Sequence, residues 1–282
     1  MKLGLHCDVR RGYLPSLRDA EALGCSAMQM FSYRRHQEPD PAELESFRRA
    51  REQSPVRRLV LHVRYLPFLA SVEEGLRRRS AELLAREARL AAALGGDFLV
   101  LHLGAYSPGS DAEEGMRLFG DGVADALAAA EAPGLPAGRV RPRLLIENVP
   151  GGGRRMGGSL EELAAMLGLL SRRGIEAGTC LDTAHAWSYG YDLSTAEAMW
   201  RFLGRVHHLL GAERVAAFHL NDSRALLGSH REHHWHWGQG YLGTEGLKCL
   251  LAREEYAGAV GILETPRAPG MDRANLDLVR SL

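Results

Sequence analysis

The feature that most limits what this chain can fold into is a repeat of short apolar runs, separated from end to end by longer amphipathic stretches. The runs are Lys2 to His6 (KLGLH), Ala27 to Phe31 (AMQMF), Arg58 to His62 (RLVLH) and Phe98 to His102 (FLVLH). Then come Arg143 to Glu147 (RLLIE), Gly178 to Asp182 (GTCLD), Val215 to His219 (VAAFH) and Ala259 to Glu264 (AVGILE). Runs this short and this apolar suit parallel strands covered on both faces. The stretches between them carry helix signals. Ser159 before Glu162 and Ser194 before Glu197 have capping-box spacing, and Gly24 and Gly95 close helical patterns as C-terminal caps do. Strand and helix alternating eight times predict an α/β chain of the (β/α)8 (TIM) barrel type, one catalytic domain over residues 1–282. A doubly wound open sheet is the competing architecture, and the lack of G-x-G-x-x-G after the first run counts against it. The Pro- and Gly-containing segment from Ala130 to Pro142 reads as a surface loop before the fifth strand.

Seven of the eight runs end in a side chain able to bind a metal ion: His6, His62, His102, Glu147, Asp182, His219 and Glu264. In a barrel all these ends open at one mouth, where active sites of this fold are built. A single terminal histidine is ordinarily a polar residue leaving the core, a reading retained for His6 alone.

Composition excludes several function classes. Hydrophobic content of 45% and charged content of 25% are those of an ordinary globular protein. No apolar run approaches the ~20 residues of a membrane span, and MKLGLHCD has no signal-peptide core, so no membrane partner and a cytoplasmic address are expected. Cys7, Cys25, Cys180 and Cys249 form no C-x-x-C pair, which argues against a zinc-finger cage or a disulfide framework. The formal net charge is zero. That does not exclude nucleic acid, because binding needs only a local basic face. The basic residues are almost all arginine, with Lys2 and Lys248 the only lysines.

The strand-end residues lie in richer contexts. Glu147 opens E-N-V-P-G-G-G, where a helix cap is the plainer reading and a carboxylate bridging two cations the functional one. Asp182 and His185 form D-T-A-H, a spacing that can put both on one side of an opening helix. An N-cap role would explain Asp182 but not His185. His219 lies in F-H-L-N-D-S-R, whose Asn221 and Asp222 can orient it or its loop. The stretch HREHHWHWGQG, His230 to Gly240, holds four histidines and Glu232. Not all can be ligands; His230, His233 and His236 read as loop residues, and His207 and His208 as helix-surface ones. Glu264, in I-L-E-T-P, adds a carboxylate at the last strand. Imidazole and carboxylate without thiolate suit Zn2+ or Mn2+. Candidates in excess of one ion's needs suit two or three clustered ions, the arrangement that serves phosphoester hydrolysis best.

V-L-H-V-R-Y-L, V-L-H-L-G, L-L-I-E-N-V-P-G-G-G, C-L-D-T-A-H-A-W-S-Y-G-Y-D, F-H-L-N-D-S-R and I-L-E-T-P together closely resemble the endonuclease IV family, the apurinic/apyrimidinic endonucleases of base-excision repair. The resemblance runs in order over essentially the whole chain. It implies a barrel with about three zinc ions, Mn2+ replacing some of them in part. His62, His102 and Glu147 would hold the first, Glu147, Asp182, His219 and Glu264 the second, and His185, Glu232 and His234 the third. Glu147 would bridge two ions and orient the attacking hydroxide, as the catalytic residue. The implied reaction is hydrolysis of the phosphodiester 5′ to an abasic site in double-stranded DNA, by a monomer. Tyr65, and Arg34, Arg35, His36 and Gln37, fall where the family inserts side chains into the duplex. The lesion must be extruded, since ions in a barrel mouth do not reach a sugar-phosphate inside the helix.

Three departures mark a divergent member. The family's D-R-H is Glu232-His233-His234 here, its G-E-G is Gly238-Gln239-Gly240, and Cys7-Asp8-Val9-Arg10-Arg11 replaces a small-residue pattern after the first strand. The rival enzyme reading is a sugar isomerase or epimerase on the same barrel, needing one ion at Glu147, Asp182, His219 and Glu264. It leaves His62, His102, His185 and His234 without a task. A non-catalytic binder of damaged DNA is the other rival. Retaining so many clustered charges without metal argues against it.

Overall fold

A computed structural model describes residues 1–33, 39–64, 68–131 and 141–282. All eight apolar runs are strands. They are β1 (Lys2–Leu5), β2 (Ala27–Phe31), β3 (Arg58–His62), β4 (Phe98–His102), β5 (Arg143–Glu147), β6 (Gly178–Asp182) and β7 (Val215–His219). A short ribbon of β8 (Asp222–Ser223) and β9 (His234–Trp235) follows, and then β10 (Val260–Leu263). The intervening stretches form α1 (Tyr13–Ala22), α2 (Pro41–Glu52), α3 (Glu74–Ala93), α4 (Ala112–Ala130) and α5 (Leu160–Ser171). The remainder are α6 (Thr183–Tyr189), α7 (Ala196–Leu210), α8 (Glu245–Leu251) and α9 (Met271–Ser281). Among the described residues no helix is long and apolar enough to cross a membrane.

The eight long strands make one parallel sheet in the order β1-β10-β7-β6-β5-β4-β3-β2. Its two ends meet. His6 bridges to Gln29 in parallel, Cys7 N–H donates to the Gln29 carbonyl at 2.7 Å, and Ser26 N–H donates to the Leu3 carbonyl at 2.9 Å. The seam requires Gly4, because a Cβ there would stand 1.9 Å from the Ala27 carbonyl oxygen. The barrel so formed has two apolar layers. Ala27, Val60, Val100, Leu145, Cys180, Ala217, Val260 and Ile262 fill its interior, and a larger cluster lies between strands and helices.

Local signals mostly act as the sequence predicts. Ser159 and Glu162 form the full capping box of α5. Gly24 and Gly95 follow α1 and α3 at φ +67° and +73°. The α7 cap is one residue later than expected. The Ser194 hydroxyl and amide both donate to Asp192, and Thr195 caps instead, accepting from Ala198 N–H at 3.1 Å. The aspartate turn captures Ser194 before the helix can use it. Residues 132–140, most of the expected loop before β5, lie outside the described residues.

Candidate metal centre

Side chains alternate faces along a strand, so residues two apart point the same way. On each strand the candidate ligand stands two positions beyond a residue of the barrel interior. The pairs are Val60 and His62, Val100 and His102, Leu145 and Glu147, Cys180 and Asp182, Ala217 and His219, and Ile262 and Glu264. Each ligand thus continues an interior row out to the mouth, and the register completes the convergence. His102 lies opposite Glu147, and Asp182 opposite His219.

Glu147 is the hub. Its side chain is 1% exposed and lies among four imidazoles. Oε2 is 3.0 Å from His62 Nε2 and 3.4 Å from His102 Nε2, while Oε1 is 2.8 Å from His219 Nδ1 and 3.4 Å from His185 Nδ1. The helix-cap reading of Glu147 fails, since Ser159 caps the next helix. Glu264 Oε2 approaches His219 Nδ1 at 3.3 Å. Three groups have ligand atoms all within 4.8 Å of one another: His62 with His102 and Glu147; Glu147 with Asp182, His219 and Glu264; and Asp182 with His185 and His234. The third differs from the expected set by gaining Asp182, whose Oδ2 is 3.3 Å from His234 Nε2. Glu232 is further out, 3.7 Å from His185 Nε2 with its side chain 59% exposed.

Both readings of Asp182 hold at once. Oδ1 caps α6 by accepting from His185 N–H at 2.8 Å, and Oδ2 faces the centre. That cap is what starts the helical turn carrying His185 back over the mouth. Asn148 pins the same strand end, its Oδ1 accepting from Asp182 N–H at 2.6 Å and its Nδ2 donating to the Asp182 carbonyl at 3.0 Å. Asn221 Nδ2 donates to Asp182 Oδ2 at 2.7 Å while its Oδ1 accepts from Glu264 N–H at 2.8 Å. Asp222 holds the loop that follows His234, accepting from the backbone N–H groups of Gly238, Gly240 and Leu242.

The chief residue that sequence reasoning missed is Gln29, fully buried in the middle of β2. Its Nε2 donates to Glu264 Oε1 at 2.6 Å and lies 3.0 Å from His6 Nδ1, while its Oε1 is 2.8 Å from His219 Nε2. The only available signal was one polar residue inside AMQMF. His6 is not simply leaving the core, either. It packs edge-on to Phe31 and reaches Glu264 at 3.4 Å. Among the other histidines, His207 and His208 are exposed on α7, and His236 is buried against Asn275. His230 Nδ1 contacts the Pro150 carbonyl at 2.8 Å. Gln239 is exposed and holds none of the described ligands. Arg34, Arg35, His36, Gln37 and Tyr65 lie outside the described residues.

Four carboxylates, Glu147, Asp182, Glu232 and Glu264, converge here, and none of their ion pairs among the described residues is with Lys or Arg. Burial opposes ionisation of Glu147, but His102 and His219 outweigh it and hold the carboxyl well below the usual range. Glu264 is likewise held low against its burial, chiefly by His219. His185 beside Glu232 brings that carboxyl down to about 2. Burial lowers His102 to about 4, so its imidazole is neutral. Burial is overcome in His185 by Asp182 and Glu147 and in His219 by Cys180, Glu264 and Glu147, and both stand well above the usual value.

The donor atoms fit metal ions. His62 Nδ1 lies 2.9 Å from the Val63 carbonyl and His185 Nδ1 2.9 Å from the Asn148 carbonyl, so both use Nδ1–H as a donor and turn Nε2 to the centre, where it is the ligand atom once its proton is displaced. His185 Nε2 and His234 Nε2 then face each other at 3.3 Å beside Asp182. Two ring nitrogens converging on one carboxylate form a donor set that suits a cation. A cavity of about 370 Å³ opens from the centre, lined further along by Phe31, Thr265 and Arg267.

Residues 17–282 match the family described as xylose isomerase-like TIM barrel. The chain is 35% identical to a protein named probable endonuclease 4 from Solibacter usitatus, over 100% of this chain and 97% of that one. It is 37% identical to endonuclease 4 of Thermus thermophilus, over 99% and 97%. A crystal structure of endonuclease IV from Thermus thermophilus superposes with a TM-score of 0.85 at 34% identity, covering 100% of this chain and 98% of that one. With the barrel, the ligand groups at its strand ends and the full-length relatives in agreement, this chain belongs to the endonuclease IV family of (β/α)8 barrels.

Proposed function

We propose that this chain is a metal-dependent DNA-repair endonuclease that hydrolyses the phosphodiester 5′ to abasic sites in duplex DNA, acting as a monomer. The observation that carries the reading is the shared carboxylate: Glu147 belongs to two ligand groups and touches four imidazoles. A one-ion sugar isomerase has no use for His62, His102, His185 and His234.

Zinc, about three ions per chain with manganese replacing some in part, suits a set of imidazoles and carboxylates. His62, His102 and Glu147 would hold one ion, and Glu147, Asp182, His219 and Glu264 a second. His185 and His234 would hold the third with Asp182, and Glu232 at its outer side. Bound divalent ions supply Lewis-acid stabilisation of the charge that develops on a phosphodiester in hydrolysis and activate water at neutral pH. The chain itself fixes His62, His185 and His219 by the second nitrogen of each ring and shields the hub carboxylate from solvent. Arg34, Arg35, His36, Gln37 and Tyr65 are assigned to the duplex, which they would distort to extrude the lesion.

The test pairs metal content per chain with incision of a duplex carrying one abasic site. More than two zinc-like ions, and incision abolished by a strong chelator, are expected. Full activity with a single ion would return the chain to the isomerase class.

A further inference from the structure

A buried carboxylate outside the metal centre lies on α3. Glu87 is 2% exposed on a helix face otherwise made of Ser80, Ala81, Leu84, Ala85, Ala88, Ala91 and Ala92. It does not line the cavity of the metal centre. Instead Oε2 accepts from the Ser32 hydroxyl and Oε1 accepts from the backbone N–H of Arg64 at 3.1 Å. Burial raises its pKa, so an acid here is costly to keep ionised.

What these partners share is position. Phe31 and His62 are the last paired residues of β2 and β3. Ser32 and Arg64 come just after them, where the strand ladder has stopped. Glu87 takes over as the link between the two chains, and its neighbours reinforce it. Arg64 Nε donates to the Tyr33 carbonyl at 3.2 Å, its guanidinium stacks on Phe31 at 4.4 Å, and Tyr13 hydroxyl donates to the Ser32 carbonyl at 2.8 Å. In sequence, Ser32 stands two residues before Arg34 and Arg64 one residue before Tyr65. The two strand exits that precede the five residues assigned to the duplex in sequence are thus tied to one side chain.

We propose that Glu87 is a positioning residue for lesion recognition, holding the exits of β2 and β3 at the spacing from which the chain engages an abasic duplex. The inference rests on the endonuclease reading above. It separates Glu87 from chemistry: disturbing it should weaken recognition while leaving the metal centre loaded.

The experiment uses the metal-loaded full chain, a duplex with one abasic analogue and the same duplex undamaged. Glu87→Met keeps the length and removes both acceptors. Glu87→Gln keeps one acceptor for Arg64 N–H and gives the Ser32 oxygen a donor. Expected for Glu87→Met is a rise of about tenfold in Kd and KM for the abasic duplex, with kcat changed by less than about threefold. The preference for abasic over undamaged duplex should narrow, metal content should stay at the parent level, and Glu87→Gln should restore the parent values. Unchanged preference in Glu87→Met overturns the inference, as does a loss that follows metal content or is equal on both duplexes. If Glu87→Met does not fold, Ser32→Ala decides: a smaller loss of the same kind supports the proposal, and unchanged Kd and preference overturn it. A parent chain that neither binds nor incises the abasic duplex overturns the endonuclease reading and this inference with it, which distinguishes that failure from one confined to the variants.

Discussion

The side-chain carbonyl of Gln29 accepts a hydrogen bond from His219 Nε2–H at 2.8 Å. The direction follows from the other end of the amide, where Nε2 meets the acceptor-only carboxylate of Glu264 at 2.6 Å. With Nε2 committed as a donor, His219 presents Nδ1 to Glu147, Asp182 and Glu264. Gln29→Leu releases both the ring and the carboxylate, and metal affinity of that group should fall about 10–100-fold. Competition with a graded chelator series measures it. Unaltered affinity would mean packing alone orients His219.

Glu147→Gln leaves the volume of the hub but removes its charge. Incision should fall on the order of a thousandfold or more, while binding of abasic duplex remains measurable. Turnover at the parent rate would remove Glu147 from the catalytic role.

Loading the centre should release protons. Against their burial, Asp182 and Glu147 hold His185, and Cys180, Glu264 and Glu147 hold His219, well above the usual pKa in the metal-free chain, so both carry a proton at neutral pH. A metal needs the lone pair on each, so binding displaces those protons and affinity climbs as pH rises through the neutral range. Zinc titrations by calorimetry, in buffers of different ionisation enthalpy, report the count. Loading without proton release contradicts the assignment of these two rings.

Glu232 is the most exposed of the candidate ligands and stands 3.7 Å from His185 Nε2. Its longer side chain has an extra bond to order relative to the family's aspartate. Mild chelation should therefore remove one ion before the others, with loss of rate, and Glu232→Asp should slow that loss. In Glu232→Ala that ion should bind at least about tenfold more weakly. A full metal complement and full rate in the alanine variant would show that Glu232 is no ligand.

Glu87 also makes a stability prediction. Burial raises its folded-state pKa above the unfolded value, so its contribution is complete below the ordinary carboxylate pKa and is lost as pH rises through the folded value. Glutamine does not titrate. The difference in Tm between Glu87→Gln and the parent should shift in favour of the variant from acid to neutral pH. A difference independent of pH would mean Glu87 is not strained by its burial.

The barrel and most of its mouth were legible because both rest on short apolar runs that alternate with amphipathic stretches and end in ligating side chains, which a single sequence displays. A ligand at the end of an apolar run is visible as such, and strand pairing converts seven such ends into one rim. What escaped depends on partners far apart in sequence. Gln29 interrupts an apolar run in a way that looks ordinary, and its partners lie 190 and 235 residues away. Glu87 sits among Arg86, Arg89 and Glu82 in a helix rich in charge, and only the packing of α3 against the strand exits reveals it as buried. Asp182 could be read as cap or as ligand because one carboxylate has two oxygens, and the fold uses both.

The pairing of β1 with β10 ties the order of manufacture to the chemistry. A ribosome delivers β1 and β2 first and β10 last, yet β1 is paired on one side only by β10. Until that final strand docks, Glu264 is missing from its ligand group and Gln29 has nothing to hold His219 against. A nascent chain thus carries its earliest histidines without the pocket that gives them purpose, and the capacity to cut arrives only with a finished barrel.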